Sequence, residues 1–129
     1  MHGGPGTAWG MVDRIGGPDR LRAIVERFYQ RMAGDSIVGF FFAGRDLQKI
    51  VDGQTAFLMR CFGATERYRG RPPNKAHVSL PPIRRGQFDR RMHILRDILT
   101  EEGLPGEDVE AWVRVEEGFR GLLQLKPGN

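Results

Sequence analysis

The chain holds a single cysteine, Cys61, and three histidines, His2, His77 and His93. One thiol excludes an internal disulfide and any all-cysteine zinc site. No apolar run approaches the ~18 residues needed to cross a bilayer. The first ten residues, MHGGPGTAWG, have neither a basic start nor an apolar stretch and do not read as a secretion signal, so the expectation is a cytoplasmic chain with no membrane partner. Sustained period-two alternation is missing, which argues against strands. A glycine-rich phosphate loop, an ordered Ser-His-Asp set and a multi-ligand metal spacing are all lacking.

What remains is a helical pattern in 129 residues, the size of one domain. Residues 1–10 read as a flexible tail, 11–125 as one domain and 126–129 as a short tail. Pro18 suits the first turn of a helix whose face carries Leu21, Ile24, Val25, Phe28 and Met32, with Gly34 closing it. Asp46 is placed to cap a second helix with the stripe Leu47, Ile50, Gln54, Phe57, Leu58 and Cys61. Phe88, Met92, Leu95, Ile98 and Leu99 mark a third, stopping near Gly103. Val109, Trp112, Val113, Phe119 and Leu122 mark a last one, with Gly118 and Gly121 weakening its end. Between them, from about Gly63 to Gly86, runs a long irregular stretch. In a small domain such a loop is usually functional or disordered, and its apolar residues favour function.

The formal net charge of +4 is mild, but it is unevenly spread. Between Arg67 and Arg91 lie eight basic residues and one acid, Asp89. This is either a solvated surface or a place for a small anion. No helical basic stripe or nucleic-acid module accompanies it, so nucleic acid is not an expected partner.

Three polar residues bear on chemistry. Gln54 interrupts an apolar stripe, where a buried amide costs roughly 1–3 kcal/mol unless its hydrogen bonds are met. Tyr29 sits at the edge of the first stripe with a hydroxyl that also needs a partner if buried. Each is either a satisfied core group or one of two groups facing a common polar ligand. His77, inside the irregular stretch and followed by Pro81-Pro82, is by its local sequence either an ordinary loop histidine or a ligand. His93, four residues from both Asp89 and Asp97, reads as an exposed helix residue.

These residues stand in a recognisable order. Ile15-Gly16-Gly17, Arg27-Phe28-Tyr29, Phe41-Phe42-Ala43-Gly44, Gln54-Thr55-Ala56-Phe57-Leu58, Tyr68-Arg69-Gly70-Arg71-Pro72 and Ala76-His77 together resemble the truncated haemoglobins, most like group I, over about residues 12–123. The resemblance implies an all-α truncated globin, a two-over-two helical sandwich around haem b. It implies His77 as the proximal ligand of the iron, and Tyr29 and Gln54 as distal residues that stabilise a bound ligand. Phe41, Phe42, Ile50, Phe57, Ile83, Phe88 and Met92 would line the haem pocket, with Ile50 at the distal gate and Phe57 at an apolar tunnel. Lys49, Lys75 and Arg91 are candidates to pair with the haem propionates.

The chain departs from the family at Gly63-Ala64, at Pro73, at Pro81-Pro82 and at Arg91, whose position is usually apolar or tryptophan. Arg91 either snorkels to a propionate or marks a register error. The implied function is reversible binding of dioxygen, NO or CO, in oxygen binding and transport. Nitric-oxide dioxygenation, or a peroxidase-like activity, is the enzymatic alternative, and it needs a reductase as partner. A helical interaction or nucleic-acid module without haem is the third reading. The expected state is a monomer or weak dimer.

Overall fold

The computed structural model describes residues 7–63, 84–118 and 120. Among these every regular element is helical: α1 (Met11–Ile15), α2 (Pro18–Ala33), a short 3-10 turn (Gly39–Phe42), α3 (Leu47–Cys61), α4 (Arg85–Glu101) and α5 (Gly106–Glu117). The expected all-α architecture is observed.

Local chemistry explains the boundaries. Pro18 opens α2, where its missing N–H costs nothing, and Gly34 follows its last residue. Asp46 caps α3, accepting from the backbone N–H of Gln48 at 3.1 Å and of Lys49 at 3.3 Å. At the start of α4 the Gln87 side chain accepts from the Arg84 N–H at 2.9 Å. α5 begins behind Pro105 with Glu107 and Asp108 in its first turn, the favourable end of the helix dipole for acids. It ends at Glu117, before Gly118; Phe119 and Leu122, expected on its stripe, lie outside the described residues.

α2 is the hub, packing on both α3 and α4, while α4 packs on α5. Its buried face is Leu21, Ile24, Val25, Phe28, Tyr29 and Met32, the expected stripe with Tyr29 drawn fully inside. Trp112 of α5 and Phe62, just past α3, meet edge-to-face at 5.2 Å between ring centres. The turn after α2 is tied to α4 by Asp35, which accepts from the N–H groups of Ile37 and Val38 and pairs with Arg90 at 2.7 Å.

Two expectations need correcting. Residues 7–10, read as part of a flexible tail, are held in place. The Gly10 N–H donates to the Phe62 carbonyl at 2.8 Å, and Arg14 donates to the carbonyls of Thr7 and Trp9 while pairing with the buried Asp108 at 2.8 Å. Trp9 lies against Gly63, where an added Cβ would sit 2.6 Å from the indole ring. The second correction concerns α3, whose buried residues are Val51, Gln54, Thr55, Ala56, Leu58 and Met59. Leu47, Ile50, Phe57 and Cys61 of the expected stripe are only half-buried. One stripe was read where the helix has two apolar sides, one fully packed in the core and one partly open.

Candidate functional site

The 3-10 turn brings Phe42 edge-to-face onto Tyr29, with ring centres 5.8 Å apart, and Phe28 also meets Tyr29, at 5.1 Å. Phe41, next to Phe42 in the sequence, is buried, and so are Phe88 and Met92 on α4. Leu47, Ile50, Gln54, Phe57 and Cys61 recur at spacings of three and four and so share one side of α3. Within that half-buried apolar side, Gln54 is buried and its Nε2 has no hydrogen-bond partner among the described residues. The Cys61 thiol on the same side is pushed up to about 11 by burial, which keeps it protonated and unreactive at neutral pH.

Tyr29 is buried, and its hydroxyl accepts from Arg91 Nη2 at 3.3 Å. Burial raises its pKa and outweighs the opposing pull of Arg91, so the hydroxyl keeps its proton and remains a donor. No described residue accepts that proton. Arg91 in turn pairs with Glu116 at 2.6 Å, and Nη1 donates to the Met92 sulfur at 3.6 Å. The other Glu116 oxygen accepts from Trp112 Nε1 at 2.7 Å. Burial works against the Arg91 charge, but Glu116 and Tyr29 overcome it and hold the guanidinium firmly protonated.

Arg91 is therefore not placed as a propionate partner. It lies inside the helix sandwich with its charge met by Glu116, because a guanidinium on the buried face of α4 requires a counter-charge at that depth. Lys49 is exposed in the first turn of α3. His77, Lys75 and Ile83 lie outside the described residues. His93 is exposed and sits 3.4 Å from Asp97, as its helical neighbours implied.

Sequence reasoning missed Glu116, and it read Trp112 only as a stripe residue. A signal existed: Glu116 continues the stripe Val109, Trp112, Val113, and Arg91 interrupts the stripe Phe88, Met92, Leu95. Opposite charges on the apolar faces of two consecutive helices are the pattern of a buried ion pair. Thr55, whose hydroxyl is also buried without a partner among the described residues, was missed as well.

The described helices are layered around α2 and hold on α3 a buried amide without a partner among the described residues and on α2 a buried tyrosine hydroxyl that meets Arg91. The family model for the bacterial-like globins matches residues 10–124, and the chain belongs to that family. It is 32% identical over 116 residues to the group 1 truncated haemoglobin of Nostoc sp. (strain MUN 8820), covering 90% of this chain and 98% of that one. With the group 1 truncated haemoglobin of Synechocystis sp. it shares 33% over 111 residues, 84% of this chain and 89% of the relative. The Fe(III) truncated haemoglobin of Tetrahymena pyriformis superposes with a TM-score of 0.77 at 26% identity, over 90% of this chain and 98% of that one. The Synechococcus 2/2 haemoglobin, solved in the cyanomet state with covalently attached haem, gives 0.69 at 26%, over 82% and 89%. The two-over-two sandwich is thus the fold of this chain.

Proposed function

We propose that the chain binds haem b and through it reversibly binds dioxygen and other diatomic ligands. The observation that carries this is the buried Gln54 amide, unpartnered among the described residues and set among half-buried apolar residues in a chain of the globin family. Such an amide costs about 1–3 kcal/mol in an empty apolar setting, and a polar ligand beside it recovers that cost. The residues present fit haem: Leu47, Ile50 and Phe57 offer α3's apolar side to a flat hydrophobic group, and Phe42 stands beside Tyr29.

When bound, haem supplies an iron with a coordination position open to small ligands. His77 is the residue we assign to hold that iron. Tyr29 and Gln54 are both donors, and donors favour a ligand that carries partial negative charge over a neutral one. Ile50 cannot donate, so selectivity for dioxygen over carbon monoxide rests on Tyr29 and Gln54. Lys49 and Lys75 are the cations we assign to the propionates.

Absorption spectra of the purified ferric, ferrous and carbonyl forms test the reading. A Soret band that is lost or altered in His77→Ala is expected, as is oxygen dissociation at least about tenfold faster in Tyr29→Phe, equivalent to about 1.4 kcal/mol. No Soret band after haem addition would overturn the reading. Stopped-flow mixing of the oxygenated protein with NO tests the catalytic use, and slow or absent nitrate formation would confine the role to binding.

A further inference from the structure

We infer that Arg91 is a positioning residue, whose guanidinium, braced by Glu116, holds the Tyr29 oxygen from behind and so directs the Tyr29 hydroxyl hydrogen toward the bound ligand. This rests on the distal role proposed for Tyr29.

A tyrosine hydroxyl has one hydrogen to give and lone pairs to accept with, whereas a guanidinium only donates. The 3.3 Å contact between Arg91 Nη2 and the Tyr29 oxygen therefore runs in one direction, and the Tyr29 hydrogen cannot point at Arg91. No other described residue accepts it. A cation set against the lone pair in a low-dielectric interior also polarises the O–H bond and makes it a stronger donor.

The guanidinium is itself well fixed. Glu116, fully buried, meets it at 2.6 Å, and Trp112 Nε1 anchors the second Glu116 oxygen at 2.7 Å. The Phe28 and Phe88 rings flank the guanidinium carbon at 5.0 and 5.8 Å from their centres. As a device for stability alone the ion pair is poorly suited, because well-packed apolar residues commonly replace such pairs without loss. Apart from the bond from Trp112 Nε1 to Glu116, the contact that apolar residues could not reproduce is the one to Tyr29.

The test uses the haem-loaded protein carrying Arg91→Met with Glu116→Gln. This pair removes both charges, keeps the bulk and leaves Trp112 an acceptor. It is made in the parent and in the Tyr29→Phe background. Oxygen dissociation is followed by stopped flow, and the C–O stretch of the ferrous carbonyl form by infrared. In the parent, dissociation about fivefold faster is expected from the lost polarisation, with the C–O stretch moving toward its Tyr29→Phe value. In the Tyr29→Phe background neither readout should move further. An unchanged rate and stretch in the parent, or an equal effect in both backgrounds, would overturn the inference. If Tyr29→Phe itself changes neither readout, it is the distal role of Tyr29 that fails. Should the double variant not retain haem, Arg91→Lys takes its place. It keeps the charge pair, but the lysine nitrogen ends one bond short of the Nη2 position from which Arg91 meets both Glu116 and Tyr29, so the same shifts and the same overturning results apply.

Discussion

Arg91 on α4 and Tyr29 on α2 meet at 3.3 Å in the interior, with the arginine donating and the tyrosine oxygen accepting. This contact puts a charge at a position expected to be apolar or tryptophan, where only a matching acid can sustain it. That acid is Glu116, and its removal leaves a stranded cation.

Glu116→Ala should destabilise the protein by about 3–5 kcal/mol, the usual cost of leaving a buried charge unpaired. Glu116→Gln keeps the bulk and one acceptor for Trp112, but its single amide oxygen cannot also meet Arg91 and the counter-charge is gone, so it should lose less than the alanine variant while still costing stability. Denaturant midpoints of the three proteins check the ranking. A loss below about 1 kcal/mol in the alanine variant would mean that Arg91 finds another partner.

Gln54→Leu should separate stability from ligand retention. Removing an unpartnered buried amide should raise the unfolding free energy of the haem-free chain by about 1 kcal/mol or more. If Gln54 holds the distal role proposed for it, the same change removes a donor there, and the haem-loaded protein should release oxygen faster. Denaturant unfolding and stopped flow read the two effects, and a destabilised haem-free variant would show that the amide has a partner in solution.

Asp35 carries a pH signature. Arg90 beside it, helped by the N–H groups of Ile37 and Val38, holds its carboxyl below the usual carboxylate range. A folded-state pKa below the unfolded value of about 3.9 contributes stability that is complete above that pH and is lost as pH falls through the folded value. Asp35→Asn should therefore cost on the order of 1 kcal/mol at neutral pH. The gap to the parent should close below about pH 4. A gap independent of pH would assign the effect to the turn hydrogen bonds instead of the charge.

Gly63→Ala tests whether the residues before α1 are part of the fold. Gly63 has φ +68°, and its Cβ would collide with Trp9. We expect a loss of about 1–3 kcal/mol from combined backbone strain and overpacking. Trp9→Ala should relieve part of that loss in the double variant, giving clear non-additivity in thermal unfolding. Strict additivity would leave backbone strain as the whole cause.

Much of this was legible along the chain. Pro18, Gly34 and Asp46 act through groups within a few residues of themselves, so their roles as helix boundaries survive into the fold unchanged. The α2 stripe was readable because a hub helix buries one wide face, and periodicity reports one face well. On α3 the same method merged two sides, because spacing alone does not say which neighbour each side meets. Glu116 was overlooked for a related reason. A carboxylate on an apolar stripe looks like a defect until the partner across the interface is known.

The sequence by itself determined the helical class, the helix ends and the ordered set Tyr29, Phe42, Gln54 and His77 that resembles a truncated haemoglobin. Only the tertiary structure decided that Arg91 turns inward to Tyr29 and Glu116, that Trp9 packs on Gly63, and that Gln54 is buried without a partner among the described residues. The physical reason is separation along the chain. Caps and stripes arise from neighbours within one or two turns, whereas Tyr29, Arg91 and Glu116 meet only because α2, α4 and α5 pack together, and the energy of a buried charge depends wholly on that meeting.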